Sequence, residues 1–371
     1  MSTSTIRRIV AAVAGVALLG SVAACGDNAA IDDPDTVPSS KTEISGNFAG
    51  AGASSQQAAV EAWISGFQRV NPQAKISYNP SGSGAGVTTF LTGATAWASS
   101  DKPLDHEEVN ESKSVCKEGT AFDVPVYATP IAVAFNLNGV SDTGQHLRMD
   151  ASTIAKIFNG SITQWNDPAI AKQNPDVTLP HLPITIVHRS DKSGTTLNFV
   201  EYLKAAAGND WKYDLSENWP NELGQGAKGT SGVVSTITQA NGTIGYADLS
   251  QVGELGTVAV KVGDDYVPIS AKSASNALVD SKIDESVQGA NRVVVAINHN
   301  TKAENAYPIV MISYDIACPV YKDENTGRFA QAWLTYITSQ PGQIAAQKAT
   351  GSAPLPSNIT DAVEASIEAM N

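Results

Sequence analysis

Residues 188–199 read HRSDKSGTTLNF. An arginine, an aspartate two positions on, and then Ser193, Gly194, Thr195 and Thr196 stand directly before the apolar positions of a helix. Small hydroxyl residues at a helix start are ordinary N-caps. The same composition also suits an anion, because it combines backbone N–H groups lacking intrahelical partners, the positive end of the helix dipole, hydroxyl donors, and glycine that lets main chain approach a ligand. Two further stretches share the form, Gly50-Ala51-Gly52-Ala53-Ser54-Ser55 and Ser81-Gly82-Ser83-Gly84-Ala85-Gly86, each ahead of a helical pattern. One such opening carries little weight, but three in a chain poor in basic residues point to convergence on one small tetrahedral anion. Arg189 then offers a planar fork of donors that matches an oxyanion and stays charged at any relevant pH. Asp191 can hold that fork in place. The plainer alternative is a surface ion pair contributing roughly 0–1 kcal/mol.

Asp101, in WASSDKPL, sharpens the chemistry. A carboxylate beside a bound anion is repulsive unless the anion still carries a proton and donates it in a hydrogen bond. Monohydrogen or dihydrogen phosphate meets that condition, and fully ionised sulfate does not. A solvated loop carboxylate or a helix cap is the ordinary alternative.

The elements that must position these residues alternate between helix and strand. QQAAVEAWISGFQRV places Val60, Ile64 and Phe67 on one helical face. AKISYNP and ATAWASSD read as short strands, and Phe122 to Leu137 (FDVPVYATPIAVAFNL) as buried sheet. ASTIAKIFNG is a helix stopped at Gly160, ITIVH a buried strand leading into the quoted motif, and LNFVEYLKAAAG its helix. GTSGVVSTITQANG and TIGYADL give helix then strand, Tyr307 to Ala317 a further strand, and FAQAWLTYIT and QIAAQKAT closing helices. Strands alternating with helices indicate α/β layers.

Length and composition allow such a body: 371 residues, 42% apolar and only 16% charged, suit a globular chain of two or three units. Arg7 and Arg8, the apolar run Ile9–Leu19 and Val22-Ala23-Ala24-Cys25 have the layout of a signal segment, expected over 1–24, which is too short to remain as a membrane span. Residues 25–45 are polar, acidic and Pro-bearing, and read as a tether. Outside the cytoplasm, Cys116 and Cys318 are candidates for a disulfide, with two buried free thiols as the alternative. The formal charge is −13, and removal of Arg7 and Arg8 leaves 22 basic against 37 acidic residues, a net of −15. Nucleic acid needs a basic face, so it is not an expected partner.

Catalytic and metal signatures are missing from the sequence. No G-x-S-x-G surrounds Ser54, Ser83, Ser193 or Ser231, no P-loop lysine follows a glycine-rich turn, and the five histidines lack metal spacing. GAGASS lacks the third glycine and acidic partner of a dinucleotide fingerprint. No catalytic residue, metal or cofactor is expected.

The set GAGASS, SGSGAG, ASSDKPL, IFNGSITQWNDP, RSDKSGTT and GTIGYADL, in this order, resembles the phosphate-binding lipoproteins of bacterial phosphate ABC importers over nearly the whole mature chain. The resemblance implies an α/β, type II periplasmic-binding-protein-like fold: two lobes joined by crossing strands, with the ligand cleft between them. Lobe one would comprise 46–127 and 307–371, lobe two 128–306, and a Cys116–Cys318 bridge would lie within lobe one. Cys25 would be the lipidated first residue, anchoring a monomer on the extracytoplasmic face of the cell membrane. Carried over by position, Ser54 and Ser55 stand where the family uses a Thr hydroxyl and an adjacent backbone N–H; Ser55 replaces a more usual aromatic, so only its main chain is carried over. Ser83 matches a hydroxyl donor, Asp101 the acceptor for the phosphate proton, and Arg189, Ser193, Gly194 and Thr195 the donors of the other lobe, with Asp191 holding the arginine. Gly229–Gly232 (GTSG) reads as helix capping. The implied partners are inorganic phosphate and permease subunits with their cytoplasmic ATPase. A sensor, an adhesin or a receptor for another tetrahedral oxyanion on the same fold remains the alternative.

Overall fold

The computed structural model describes residues 43–371. The expected signal segment, Cys25 and all but the end of the tether lie outside the described residues. The apolar run Phe122–Asn136 forms a 15-residue strand in which only Asn136 is not fully buried. Burial on both faces is what a near-continuous apolar strand requires. It runs through a mixed sheet in which successive neighbours are Ala74–Asn79, Gly46–Gly52, Trp97–Ser100, Val310–Ala317, Phe122–Asn136, Thr243–Asp248, Thr185–Arg189 and Gln225–Ala227. The first three strands are parallel to one another, as are the last three. The long strands in the middle are antiparallel to theirs.

Phe122–Asn136 divides its pairing between two partners. Residues 122–130 pair with Val310–Ala317, and 131–136 with Thr243–Asp248. Its side chains divide in the same way. Phe122, Val124 and Val126 join a core that includes Trp63, Trp97, Phe329 and Trp333, whereas Ile131, Val133 and Phe135 join a second that includes Phe158, Trp165, Phe199 and Trp211. The strand thus crosses from one hydrophobic core to the other. The last strand and the residue before it do so by alternation: Ile309 and Met311 pack on the second core and Val310 and Ile312 on the first, in the two-residue period of extended chain.

Two details differ from the sequence expectation. Within 128–306, the side chains of Ala274, Ala277, Leu278, Val293, Val295 and Ala306 pack into the first core. On the helix Gln57–Val70, Val60 and Phe67 are buried and Ile64 only partly so; Trp63, which the helical pattern did not single out, is fully buried and donates its Nε1–H to the Gly342 carbonyl at 2.8 Å. Cys116 and Cys318 form a disulfide, with Cα atoms 5.3 Å apart, that closes a separation of 202 residues, and both lie in the first core. The free-thiol alternative is thereby excluded.

Candidate functional site

The three glycine- and hydroxyl-rich openings fold into different local structures. Gly46–Gly52 leads through Ala53 into a short 3₁₀ turn, Ser54–Gln56, that has no side-chain cap. The helix Ser83–Leu91 begins after Gly82, whose φ of 100° and whose place beside Asp191 both require glycine: an added Cβ would lie 2.3 Å from Asp191 Oδ2. That helix also lacks a side-chain cap. Only the helix Gly194–Ala207 is capped as the simplest reading expects, with Ser193 Oγ accepting from the Thr196 N–H at 3.2 Å. Ser83 is no local cap. Its Oγ instead accepts from the backbone N–H groups of Asp101 and Gly194, each at 3.2 Å.

Asp101 follows the strand Trp97–Ser100 and is 2% exposed. Its Oδ2 accepts from Ser55 Oγ at 2.6 Å and Thr195 Oγ1 at 2.8 Å, and its Oδ1 from Ser313 Oγ at 3.0 Å. Burial pushes this carboxyl above its ordinary range, and the hydroxyls of Ser55, Thr195 and Ser313, then the charge of Arg189, pull it back. The net shift is upward. Asn198 Nδ2 ties the Asp101 carbonyl, at 2.7 Å, to the first turn of the Gly194–Ala207 helix through the Gly194 carbonyl, at 2.9 Å.

Arg189 ends the strand Thr185–Arg189 and is 3% exposed. Asp191 clasps it with both oxygens, Oδ1 on Nε at 2.8 Å and Oδ2 on Nη2 at 2.5 Å. Two of about five guanidinium N–H groups are thereby committed, which fixes the plane of the fork and leaves the rest to other acceptors. Burial raises the Asp191 carboxyl, but the hydrogen bonds and charge of Arg189 and the Gly229 N–H outweigh it and hold it below its usual range. Tyr246 holds the main chain here: its hydroxyl accepts from the Arg189 backbone N–H at 3.2 Å and pairs with Thr196 Oγ1 at 2.7 Å.

The structure therefore brings Ser55, Ser83, Asp101, Gly194 and Thr195 into one hydrogen-bonded cluster, with Arg189 close enough for its charge to act on Asp101. Ser193 caps the helix that presents Gly194 and Thr195. Ser54 pairs elsewhere, on Thr230, whose N–H it accepts at 3.0 Å and whose hydroxyl lies 3.1 Å away. Two sequence readings need correction. Ser55, carried over for its main chain alone, engages through its side chain, because a hydroxyl, unlike an aromatic ring, can reach the carboxylate. The GTSG opening is not self-capped: the helix Gly229–Gln239 has no side-chain cap at Lys228, and its first N–H groups go to Asp191 Oδ1 and Ser54 Oγ. Residues that sequence reasoning missed are Ser313, Asn198, Thr230 and Tyr246. Asn198 had a signal, standing four positions after Gly194 on the same helical face, and Thr230 stands in an opening of the same composition as the others.

A model of the PBP superfamily domain matches residues 37–341. The phosphate-binding protein PstS 2 of Mycobacterium tuberculosis is 35% identical over 327 residues, covering 86% of each chain. The phosphate-binding protein PstS 3 of Mycobacterium leprae is 34% identical over 332 residues, covering 87% of this chain and 89% of its own. Among solved structures, a putative phosphate ABC transporter substrate-binding protein with bound phosphate from Clostridium perfringens superposes with a TM-score of 0.60 at 19% identity, over 84% of this chain and all of that one, a likeness of fold. By the match across most of its length and by these relatives, the chain belongs to the PBP superfamily and, within it, to the family of the phosphate-binding proteins PstS.

Proposed function

We propose that this protein is an extracytoplasmic receptor that captures inorganic phosphate and delivers it to the permease of an ABC importer, with no bond chemistry of its own. The observation that carries the reading is Asp101: a buried acceptor set among hydroxyl and N–H donors, which suits an anion that still holds a proton. Ser54, Ser55, Ser83, Arg189, Ser193, Gly194 and Thr195 supply donors, and Asp191 orients the arginine. Relatives that carry the name phosphate-binding protein support the ligand.

The two lobes are 46–127 with 307–371 and 128–306, each built mainly round one of the two hydrophobic cores, with Ala274, Ala277, Leu278, Val293, Val295 and Ala306 of the second packing across onto the first core. Ser83 and Asp101 approach from the first and Gly194 and Thr195 from the second, and all are buried. Phosphate enters when the lobes part, exchanges its hydration shell for these donors, and is enclosed as the crossing strands flex. Cys25 carries the lipid anchor that holds the monomer at the outer face of the membrane. Permease subunits and their cytoplasmic ATPase take the ligand onward. The acidic balance of the chain slows anion encounter without preventing capture, because binding rests on local donors.

Calorimetric titration of the purified protein with phosphate, arsenate and sulfate tests this reading. Tight phosphate binding with sulfate excluded is the expected result, and sulfate binding equal to phosphate at neutral pH contradicts it. Closure itself has a steric test. A Cβ at Gly194 would lie 2.8 Å from the Asp101 backbone carbon and 2.9 Å from Ser83 Oγ. Gly194→Ala should therefore fold normally yet lose about 1–3 kcal/mol of phosphate affinity, the cost of overpacking, read by calorimetry beside an unchanged melting temperature of the unliganded protein.

A further inference from the structure

We infer that Ser313 is a positioning residue: by occupying one side of Asp101 Oδ1 it leaves a single carboxylate position for the ligand's proton, and so helps to select protonated over fully ionised oxyanions. This rests on the phosphate reading above. A carboxylate accepts at about four lone-pair positions, two on each oxygen. Oδ2 is filled by Ser55 and Thr195, and Oδ1 takes only Ser313. One position remains, on Oδ1, and its direction is set by the donor beside it.

The backbone is shaped for this contact. Ser313 is fully buried in the strand Val310–Ala317, and the ladder against Phe122–Asn136 shifts register between Ser313 and Tyr314. Ser313 pairs with Tyr127 and Tyr314 with Pro125, so Val126 is the extra residue of a bulge, next to a proline that has no N–H to give. Bulges of this kind re-aim side chains beside functional sites.

The charges facing Asp101 are few. Arg189 favours its ionised form; the charge of Asp101 adds to the burial that pushes Asp248 up to about 6; Asp315, two residues after Ser313 and holding Ser99 Oγ at 2.8 Å, is pushed by burial up to about 7; the phenols of Tyr78 and Tyr127 are buried and shifted further upward, so they stay neutral; and Lys102 is paired with Glu108 at 2.7 Å. Loss of the Ser313 hydroxyl removes a donor to the ionised carboxylate, so the Asp101 carboxyl moves up. A protonated Asp101 is itself a donor and accommodates sulfate.

The test is the pH profile of sulfate and phosphate affinity, measured by calorimetry from pH 5 to pH 8 on wild type, Ser313→Ala and Ser313→Thr. Sulfate binding should strengthen as pH falls. In Ser313→Ala the profile should be displaced upward by about one pH unit, which is about tenfold tighter sulfate binding at a given pH above the transition, with Ser313→Thr restoring the wild-type profile. Asp248 and Asp315 titrate in every variant and cancel in the difference. Phosphate and sulfate weakening by the same factor with an unshifted profile would make Ser313 merely structural and overturn the inference. Should Ser313→Ala not fold, Ser313→Cys keeps the volume with a weaker donor and should show a smaller shift in the same direction; no shift there overturns the inference equally. A wild type that fails to bind phosphate would instead sink the phosphate reading, so the two failures are distinguishable.

Discussion

Arg189→Ala should weaken phosphate binding by about 3–4 kcal/mol, roughly two to three orders of magnitude in Kd, while leaving a folded protein. The size follows from what is lost: a buried, permanently charged fork whose orientation is already fixed by Asp191, so that phosphate meets preorganised donors. The fold should tolerate the change because Asp191 keeps the Gly229 N–H at 3.0 Å and its side chain is 12% exposed, so it is not stranded as a wholly buried charge. Calorimetry and thermal melting on the same preparation separate the two effects. A wild-type Kd would remove Arg189 from the site, whereas loss of the melting transition would make its role structural.

Asp101→Asn should shrink the gap between phosphate and sulfate by about 3 kcal/mol, chiefly by admitting sulfate. The amide oxygen can still accept from Ser55 and Thr195, and the amide N–H₂ now faces the ligand as a donor. In the native site an unprotonated sulfate oxygen would face Asp101 as acceptor against acceptor. Stability should not fall and should rise slightly, because the substitution removes a carboxylate whose ionisation burial opposes. Competition between the two anions measured by calorimetry decides the matter. Unchanged discrimination would mean that selectivity resides elsewhere.

How much of the site was legible depended on where its residues stand in the chain. Ser54, Ser55, Ser83, Gly194 and Thr195 lie at starts of helical turns, where small hydroxyl residues and glycine are a local signal, and Arg189 and Asp191 are two residues apart, so their clasp is also local. Asp101 stood out because it is a carboxylate at the end of an expected strand in a chain whose other signals were for an anion. Ser313 carried no such signal: it is a single serine in the largely apolar run YPIVMISYDIA, and its contact with Asp101 spans 212 residues and depends on a bulge against a different strand. Thr230 likewise meets Ser54 across 176 residues. The long strand Phe122–Asn136 was readable as buried sheet from its composition, but that it serves two hydrophobic cores follows from which partner each half finds, and that is set by the whole fold.

The central claim is that a proton on the ligand is shared with Asp101 inside a closed ring of donors. A crystal structure of the protein grown with phosphate tests it most directly. A phosphate oxygen should lie about 2.5–2.7 Å from Asp101 Oδ1, the length of an O–H donor on a carboxylate, with other oxygens on Arg189 and on the Gly194 and Thr195 amides. Phosphate seated away from Asp101, or with every oxygen beyond hydrogen-bond reach of that carboxylate, would contradict the account.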